Sequence, residues 1–173
     1  MAGLDKGVSG LRIGLIEDYS LTDLDPNVEV VRRVLPLLEQ LGAQVTTVKV
    51  DNLSTMLAFT PAFTILRWEF AQAIRDVYGP VADKSVFGLA VRADMAAAAK
   101  ITQADYDAAV ARRSADVAPM RATLDHVDLL LTPTMPTVAP RLDTRSDELS
   151  CGRRYTIPIS YADLPSISVP CGR

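Results

Sequence analysis

Two short stretches near the start of the sequence are rich in the apolar and β-branched residues that favour β-strands. The first, "LRIGLIEDY" at residues 11–19, is rich in leucine and isoleucine and follows Gly10. The second, "AQVTTVKV" at residues 43–50, places Val45 and Val48 among polar neighbours. We predict that each stretch forms a strand.

The segment between these strands repeats apolar residues at the spacing of one helix face. That face consists of Val31, Val34, Leu35, Leu38 and Leu41. Asp25 suits the N-cap and Pro26 the first helical position, and Gly42 should end the helix. Pro36 should kink it. A strand, a helix and a second strand with short connections predict that the two strands are parallel neighbours.

The middle of the chain, from Leu53 to Asp125, is helical by composition. It contains "FTILRWEFAQAIRDVY", "RADMAAAAK" and "TQADYDAAVARRSADVAPMRATL". Thr102 and Asp105 have the spacing of a capping box, which predicts that the last of these helices begins there. Pro119 should bend its far end.

The final third of the chain alternates short apolar runs with irregular sequence. "VDLLLTP" at residues 127–133 predicts a buried strand, and residues 133–157 predict a long irregular loop. Ile167 to Val169, between Pro165 and Pro170, predict a further short buried strand. Nothing that follows this strand in the sequence would cover it.

Composition and charge exclude several classes of protein. With 173 residues, 49% of them hydrophobic, and a net charge of −3, the chain is typical of one globular domain that does not attract nucleic acid. We expect a single domain over residues 1–173 with a flexible start at residues 1–9. No apolar run reaches the roughly 18 residues of a membrane span, and "MAGLDKGVSG" contains no long apolar region. We therefore expect neither secretion nor membrane spanning, and a cytoplasmic protein.

Few residues of the sequence suggest catalytic chemistry. A single histidine and two cysteines cannot form a zinc site, and we expect no metal, no cofactor and no catalytic residue. Cys171 and His126 are a candidate thiolate couple, because an imidazolium lowers a thiol pKa. The alternative is that Cys171 is a buried residue at a strand end and that His126 lies on an exposed helix end. Cys151 and Cys171 should both stay reduced in a cytosolic chain.

The helical middle contains charged residues that suit either solvent or a pocket. Glu69 with Arg67 or Arg75 is typical of a solvated helical pair, and Trp68 of packing. Arg112 and Arg113 adjoin an apolar helix face, so either guanidinium is a candidate partner for a substrate carboxylate. A solvated arginine is the alternative.

Several of these stretches together resemble the later part of an amidase signature enzyme. The matching residues, in order, are "GLRIGLIED" at 10–18, "LGAQVTTV" at 41–48, Glu69, Tyr106, Arg113, "DLLLTPTMPTVAP" at 128–140, Thr156, Pro158 and "LPSISVPCG" at 164–172. The resemblance rests on their order and spacing over nearly the whole chain.

The resemblance implies an α/β fold, part of an α/β/α layered domain with a mixed sheet and a helical middle section. It also implies amide C–N hydrolysis or amide transfer by a serine, a bridging cis-serine and a lysine, in a Gly/Ser-rich segment N-terminal to the matched stretch. No such segment occurs in this sequence, so we expect a C-terminal fragment that is inactive alone. Arg113 is the candidate substrate-binding residue.

Two positions differ from the family pattern. This chain has Ser160 where the family favours asparagine, and Asp163 where it favours the glycine of a "GLP" turn. Aspartate tolerates positive φ less readily than glycine, so we expect a strained or rearranged turn.

An incomplete domain leaves apolar faces and strand edges exposed, which favours a partner. We expect self-association or a complementing amidase N-terminal chain, with a small amide substrate only after complementation. The alternatives are a protein-binding or oligomerisation module, and a subunit that completes a split amidase or amidotransferase.

Overall fold

The computed structural model describes residues 4–22, 27–58, 60–79, 84–141 and 152–172. The chain forms two compact units, the first from Met1–Leu57 with Val117–Arg173 and the second from Ala58–Asp116. The single domain expected for residues 1–173 stays a prediction. We expected a flexible start at residues 1–9 and a long irregular loop at residues 133–157. Residues 1–3 of the start and residues 142–151 of the loop lie outside the described part of the chain. Leu4–Lys6 form one 3₁₀ turn.

The first unit contains a three-stranded sheet of β1 (Arg12–Ile16), β2 (Gln44–Val48) and β3 (Leu129–Leu130). The strand order is β2-β1-β3, and both pairings are parallel. This arrangement confirms the α/β class and the first two predicted strands, and it places β3 within "VDLLLTP". No antiparallel pair of the expected mixed sheet occurs among the described strands.

Helix α1 (Val28–Gln40) connects β1 to β2. It continues through Pro36, whose side chain is exposed, so water can replace the missing backbone donor. The helix ends before Gly42, as predicted, and Gly42 adopts a φ of 93°. Asn27 is the N-cap, while the predicted cap residues Asp25 and Pro26 lie outside the described residues.

The core of the first unit lies around β1. Ile13 and Ile16 are each only 2% exposed. A Cβ atom built at Gly14 would lie 3.0 Å from Leu130 Cδ2 and 3.1 Å from Val127 Cγ2, so the central strand has no room for a side chain there. Two short helices, α2 (Leu53–Leu57) and α6 (Ile157–Tyr161), also pack against each other in this unit.

The second unit is helical. It consists of α3 (Thr60–Tyr78), α4 (Leu89–Ala98) and the first part of α5 (Gln103–Thr123), whose end belongs to the first unit. Thr102 and Asp105 form the predicted capping box: the Thr102 amide donates to Asp105 Oδ2 at 2.9 Å, and the Asp105 amide donates to Thr102 Oγ1 at 3.1 Å. Among the described residues of this unit, the buried apolar side chains are only Ala98 and Ala109.

The prediction of a buried strand at Ile167–Val169 is wrong. Residues 164–172 form no strand, and Ile167 and Val169 are 87% and 66% exposed. A strand needs a neighbour to pair its backbone groups, and no described strand pairs with this segment. Cys171 is also exposed, so it is not the buried strand-end residue that we expected.

Candidate functional site

The carboxyl edge of the parallel sheet is the first region of interest, because ligands of open α/β sheets bind outside the carboxyl ends of the strands. The loops that follow β1, β2 and β3 all leave the sheet at this edge, since the three strands are parallel. Asp18 and Asn52, in the loops after β1 and β2, adopt φ angles of 55° and 58°. The two loops therefore turn sharply.

The loop after β1 folds back onto the end of the strand. The Ile16 amide donates to Ser20 Oγ at 2.9 Å, and the Ser20 amide donates to the Ile16 carbonyl at 2.9 Å. Tyr19 and Ser20 are both fully buried. The Ser20 hydroxyl therefore serves as a structural hydrogen-bond partner of the turn.

Tyr19 connects this loop to the region just before α6. Its hydroxyl donates to the Arg154 carbonyl at 2.8 Å, and its ring meets Tyr155 edge to face, with ring centroids 5.1 Å apart. The Arg154 guanidinium lies 5.7 Å from each ring centroid. Burial of the phenol raises the pKa of Tyr19 well above its ordinary value, so Tyr19 is neutral at physiological pH.

The loop after β3 is fixed from two sides. Asn27 donates from Nδ2 to the Met135 carbonyl at 3.0 Å and from its amide to the Pro136 carbonyl at 3.3 Å. Thr134 Oγ1 and Ser168 Oγ lie 2.8 Å apart in a hydrogen bond. These hydrogen bonds anchor the "TPTMP" loop, which presents an exposed pair of hydroxyl groups.

The described residues of this edge suit positioning and hydrogen bonding. A serine nucleophile needs a base at hydrogen-bond distance, whereas the hydroxyl contacts of Ser20 and Ser168 are a backbone amide and a threonine hydroxyl. Cys171 and His126 are both exposed and no hydrogen bond joins them, so the structure does not form the candidate thiolate couple. Within the described ranges, no three His, Cys, Asp or Glu side chains are grouped to hold a metal.

The turn that leads into the segment 164–172 contains the departure from the family pattern. Asp163 adopts a φ of 53°, the left-handed conformation in which glycine is favoured. Arg121 holds this turn by donating from Nε and Nη2 to the Ala162 carbonyl at 2.9 and 2.7 Å. Its Nη2 also lies 3.5 Å from Asp163 Oδ2.

In the second unit, two residues that carry the family resemblance contact each other. The Tyr106 hydroxyl donates to Glu69 Oε1 at 3.1 Å, and its ring stacks on Trp68 with centroids 5.5 Å apart. The hydrogen bond with Glu69 raises the pKa of Tyr106. The predicted pairing of Glu69 with Arg67 or Arg75 is therefore wrong, because an aromatic hydroxyl on α5 is the partner instead.

Arg113 lies half-buried on α5, seven residues after Tyr106. Seven residues are about two helical turns, so both side chains leave the same face of the helix. The neighbouring Arg112 forms a bidentate pair with Asp116, with Nε and Nη2 at 2.9 and 3.1 Å from the carboxylate oxygens. The binding role predicted for Arg113 stays a prediction.

Comparison with known proteins decides the family. The family model named Amidase matches residues 2–173. The chain belongs to the amidase family. The A subunit of glutamyl-tRNA(Gln) amidotransferase from Myxococcus xanthus is 31% identical over 99% of this chain and 40% of its own length. Its counterpart from a Psychrobacter species is 30% identical over 99% of this chain and 39% of its own length.

Solved structures of the family share the fold. A crystal structure described as an amidase superimposes with a TM-score of 0.75 and 26% identity, and it covers 94% of this chain and 40% of the matched chain. The 173-residue chain therefore spans about two fifths of the length of these relatives. None of its described helices combines the length and the apolar character that crossing a membrane requires.

Sequence reasoning did not find the cluster of Tyr19, Arg154 and Tyr155, or the contact between Asn27 and the loop after β3. Tyr19 and Arg154 are 135 positions apart, and the local pattern around each of them contains no information about the other. The sequence patterns predicted β1 and β2 as parallel neighbours, but they did not indicate this edge as a site. The parallel pairing of β3 with β1 showed which further loop meets the other two there.

Proposed function

We propose that this chain supplies the C-terminal part of an amidase, an enzyme that breaks the C–N bond of a carboxamide. The serine nucleophile and its base would come from an amidase N-terminal segment, in the same polypeptide or in a separate chain. The observation that carries the proposal is the family match over residues 2–173, which corresponds to only 40% of the relative from Myxococcus xanthus. The chain alone would be inactive.

The chemistry of the carboxyl edge supports this division of roles. Amide cleavage needs an activated nucleophile and donors that stabilise the oxyanion. The described residues of the edge provide the anchored loop after β3 with its Thr134–Ser168 hydroxyl pair, but the hydroxyls of Ser20 and Ser168 contact no base. We assign the anchored loop to substrate positioning and the covalent step to the complementing segment.

Arg113 is the residue that we assign to a substrate carboxylate. A planar guanidinium binds a carboxylate through two parallel hydrogen bonds, and the half-buried position of Arg113 limits competition from water. Several relatives are amidotransferase subunits by name. An amino-acid amide is therefore the substrate class that we propose to test first. We also propose that the enzyme is cytoplasmic, where the exposed Cys171 would stay reduced.

Exposed apolar side chains support the need for a complementing segment. In the second unit they include Leu66, Val77, Tyr78, Val86 and Leu89, between 52% and 78% exposed. Exposed apolar side chains that form a contiguous patch are typical of an interface. The same observation favours the second candidate function, an assembly module that associates with copies of itself.

Complementation tests the proposal. We would join the chain to the preceding part of the Myxococcus xanthus relative, and we would measure ammonia release from glutamine and from a neutral aliphatic amide. We expect activity from the joined protein and none from the chain alone. Amide hydrolysis by the chain alone would overturn the proposal, and an inactive but stable symmetric dimer of the chain would favour the assembly module.

Arg113→Gln in the active joined protein tests whether Arg113 binds the substrate carboxylate. Arg92→Gln, at an exposed position, is the control that removes the same charge elsewhere. We expect Arg113→Gln to raise KM for glutamine about tenfold or more, because hydrogen bonds to charged groups are worth about 1.5–3 kcal/mol, and to leave the neutral amide unchanged. Equal losses on both substrates would remove the assignment.

A further inference from the structure

The second unit contains a cavity that the proposed function does not use. Its volume is about 290 Å³, and it lies between the first half of α3 and the end of α4. The apolar wall includes Phe63, Ala97 and Ile101, and the polar groups come from Thr60, Thr64 and Arg67. The cavity is open on one side, and its lining combines apolar and polar surface in comparable amounts. Apolar walls with a few convergent polar groups are the features by which proteins bind small molecules.

Arg67 is the charged group of this cavity, and two contacts orient it. Its Nε lies 3.5 Å from Asp94 Oδ1, and its Cζ lies 5.1 Å from the Phe63 ring centroid. Within the described part of the chain, the Nη groups of Arg67 form no hydrogen bond. The end of the guanidinium that suits a planar anion is therefore available, while the Nε end and one face are held.

The size and chemistry of the cavity select the ligand. Each water of the liquid occupies about 30 Å³, so the volume corresponds to roughly ten non-hydrogen atoms. The two threonine hydroxyls donate to backbone carbonyls, Thr60 to Ala58 at 3.4 Å and Thr64 to Thr60 at 3.0 Å, which leaves Arg67 as the donor for an anion. We propose that this cavity binds a small carboxylate with an apolar aryl or alkyl body, bound to Arg67 through its carboxylate group.

The test uses the 173-residue chain and does not depend on amidase activity. The probe is 3-phenylpropanoate, titrated into ¹⁵N-labelled protein and followed by amide chemical shifts, with the neutral 3-phenylpropanamide as the matched compound. We expect saturable shifts at residues around the cavity with a Kd of about 1 mM, as suits roughly ten ligand atoms. The amide should bind about tenfold more weakly because it lacks the charge.

Two pairs of variants separate the charge from the shape of the cavity. Arg67→Gln should weaken the binding of 3-phenylpropanoate about tenfold and leave the binding of the amide unchanged. Arg75→Gln, on the same helix but outside the cavity, should change the binding of neither compound. Ala97→Phe should fill the cavity and abolish the binding of both compounds, while Ala96→Phe, at the exposed neighbouring position, should change the binding of neither.

Three results would each overturn this proposal: no saturable shift up to about 10 mM, equal binding of acid and amide, or equal effects of the paired variants. Failure of the complementation experiment would leave these measurements unaffected, so the two proposals fail independently.

Discussion

The two units of the chain are stabilised in different ways. In the first unit, large side chains such as Ile16, Tyr19 and Met120 are almost completely buried around the parallel sheet. Among the described residues of the second unit, α3 buries no side chain, and the helices are joined by Trp68, Tyr106 and Glu69 and by the pair of Arg67 with Asp94. Buried apolar area is the main source of stability. The first unit therefore has a core of its own, whereas the second depends on half-exposed contacts.

The largest expected effect tests this difference by truncating one side chain in each unit. Ile16→Ala removes a side chain that is 2% exposed and should lower the free energy of unfolding by about 2–5 kcal/mol. Leu66→Ala removes one that is 52% exposed and should cost less than about 1 kcal/mol. Urea unfolding measures both, followed by circular dichroism for Ile16→Ala and by Trp68 fluorescence for Leu66→Ala. Equal losses would mean that the second unit has a core comparable to that of the first.

A smaller effect is expected when Tyr19→Phe removes the hydrogen bond to the Arg154 carbonyl. Loss of a buried partner costs about 1–3 kcal/mol. Because the pKa of Tyr19 is raised in the folded state, the folded protein holds this proton more tightly, and stability should fall as pH rises above about 10.

The Tyr19→Phe variant should lose the Tyr19 part of this alkaline decline, and Tyr78→Phe, which alters an exposed phenol of the second unit, should keep it. Unfolding curves measured at neutral pH and above pH 10 provide the check. An unchanged decline in Tyr19→Phe would contradict the buried neutral phenol.

Asp163 gives a third test, at the turn that Arg121 holds. Asp163→Gly should leave stability nearly unchanged, because glycine accepts the φ of 53° while the ion pair that it removes is exposed. Asp163→Ala should cost about 1 kcal/mol, since alanine lacks the local hydrogen bonding that helps aspartate in this conformation. The melting temperatures of Asp163→Gly and Asp163→Ala, compared with that of the unchanged chain, test this prediction. Equal melting temperatures would show that the turn changes its conformation.

The smallest effect concerns the order of unfolding. Trp68 is the only tryptophan of the chain and lies in the second unit, so its fluorescence reports on that unit. We expect the fluorescence transition in urea to precede the circular dichroism transition by a few tenths molar, because the unit with less burial opens first. Coincident transitions would show that the two units unfold together.

Local features of this fold were predictable from the sequence. The strands β1 and β2, the end of α1 at Gly42 and the Thr102–Asp105 capping box depend on neighbouring residues, and their patterns were sufficient. The strained or rearranged turn expected at Asp163 was also predicted from one turn residue, and Asp163 adopts a φ of 53° there. Features that need a distant partner were not. Ile167–Val169 has the composition of a strand but pairs with no described neighbour. Glu69 accepts a hydrogen bond from Tyr106 on α5 instead of pairing with an arginine on its own helix.

The anchors around the loop after β3 have a consequence for engineering. Asn27 fixes the chain at Met135 and Pro136, and Tyr19 fixes it again at Arg154 and Tyr155. Because these contacts hold the chain on both sides, we expect that a segment of different length can be grafted between Pro136 and Arg154 without displacing either anchor. Doubling the length of a flexible connection costs only about 0.6 kcal/mol, so such a graft should leave the stability of the sheet almost unchanged.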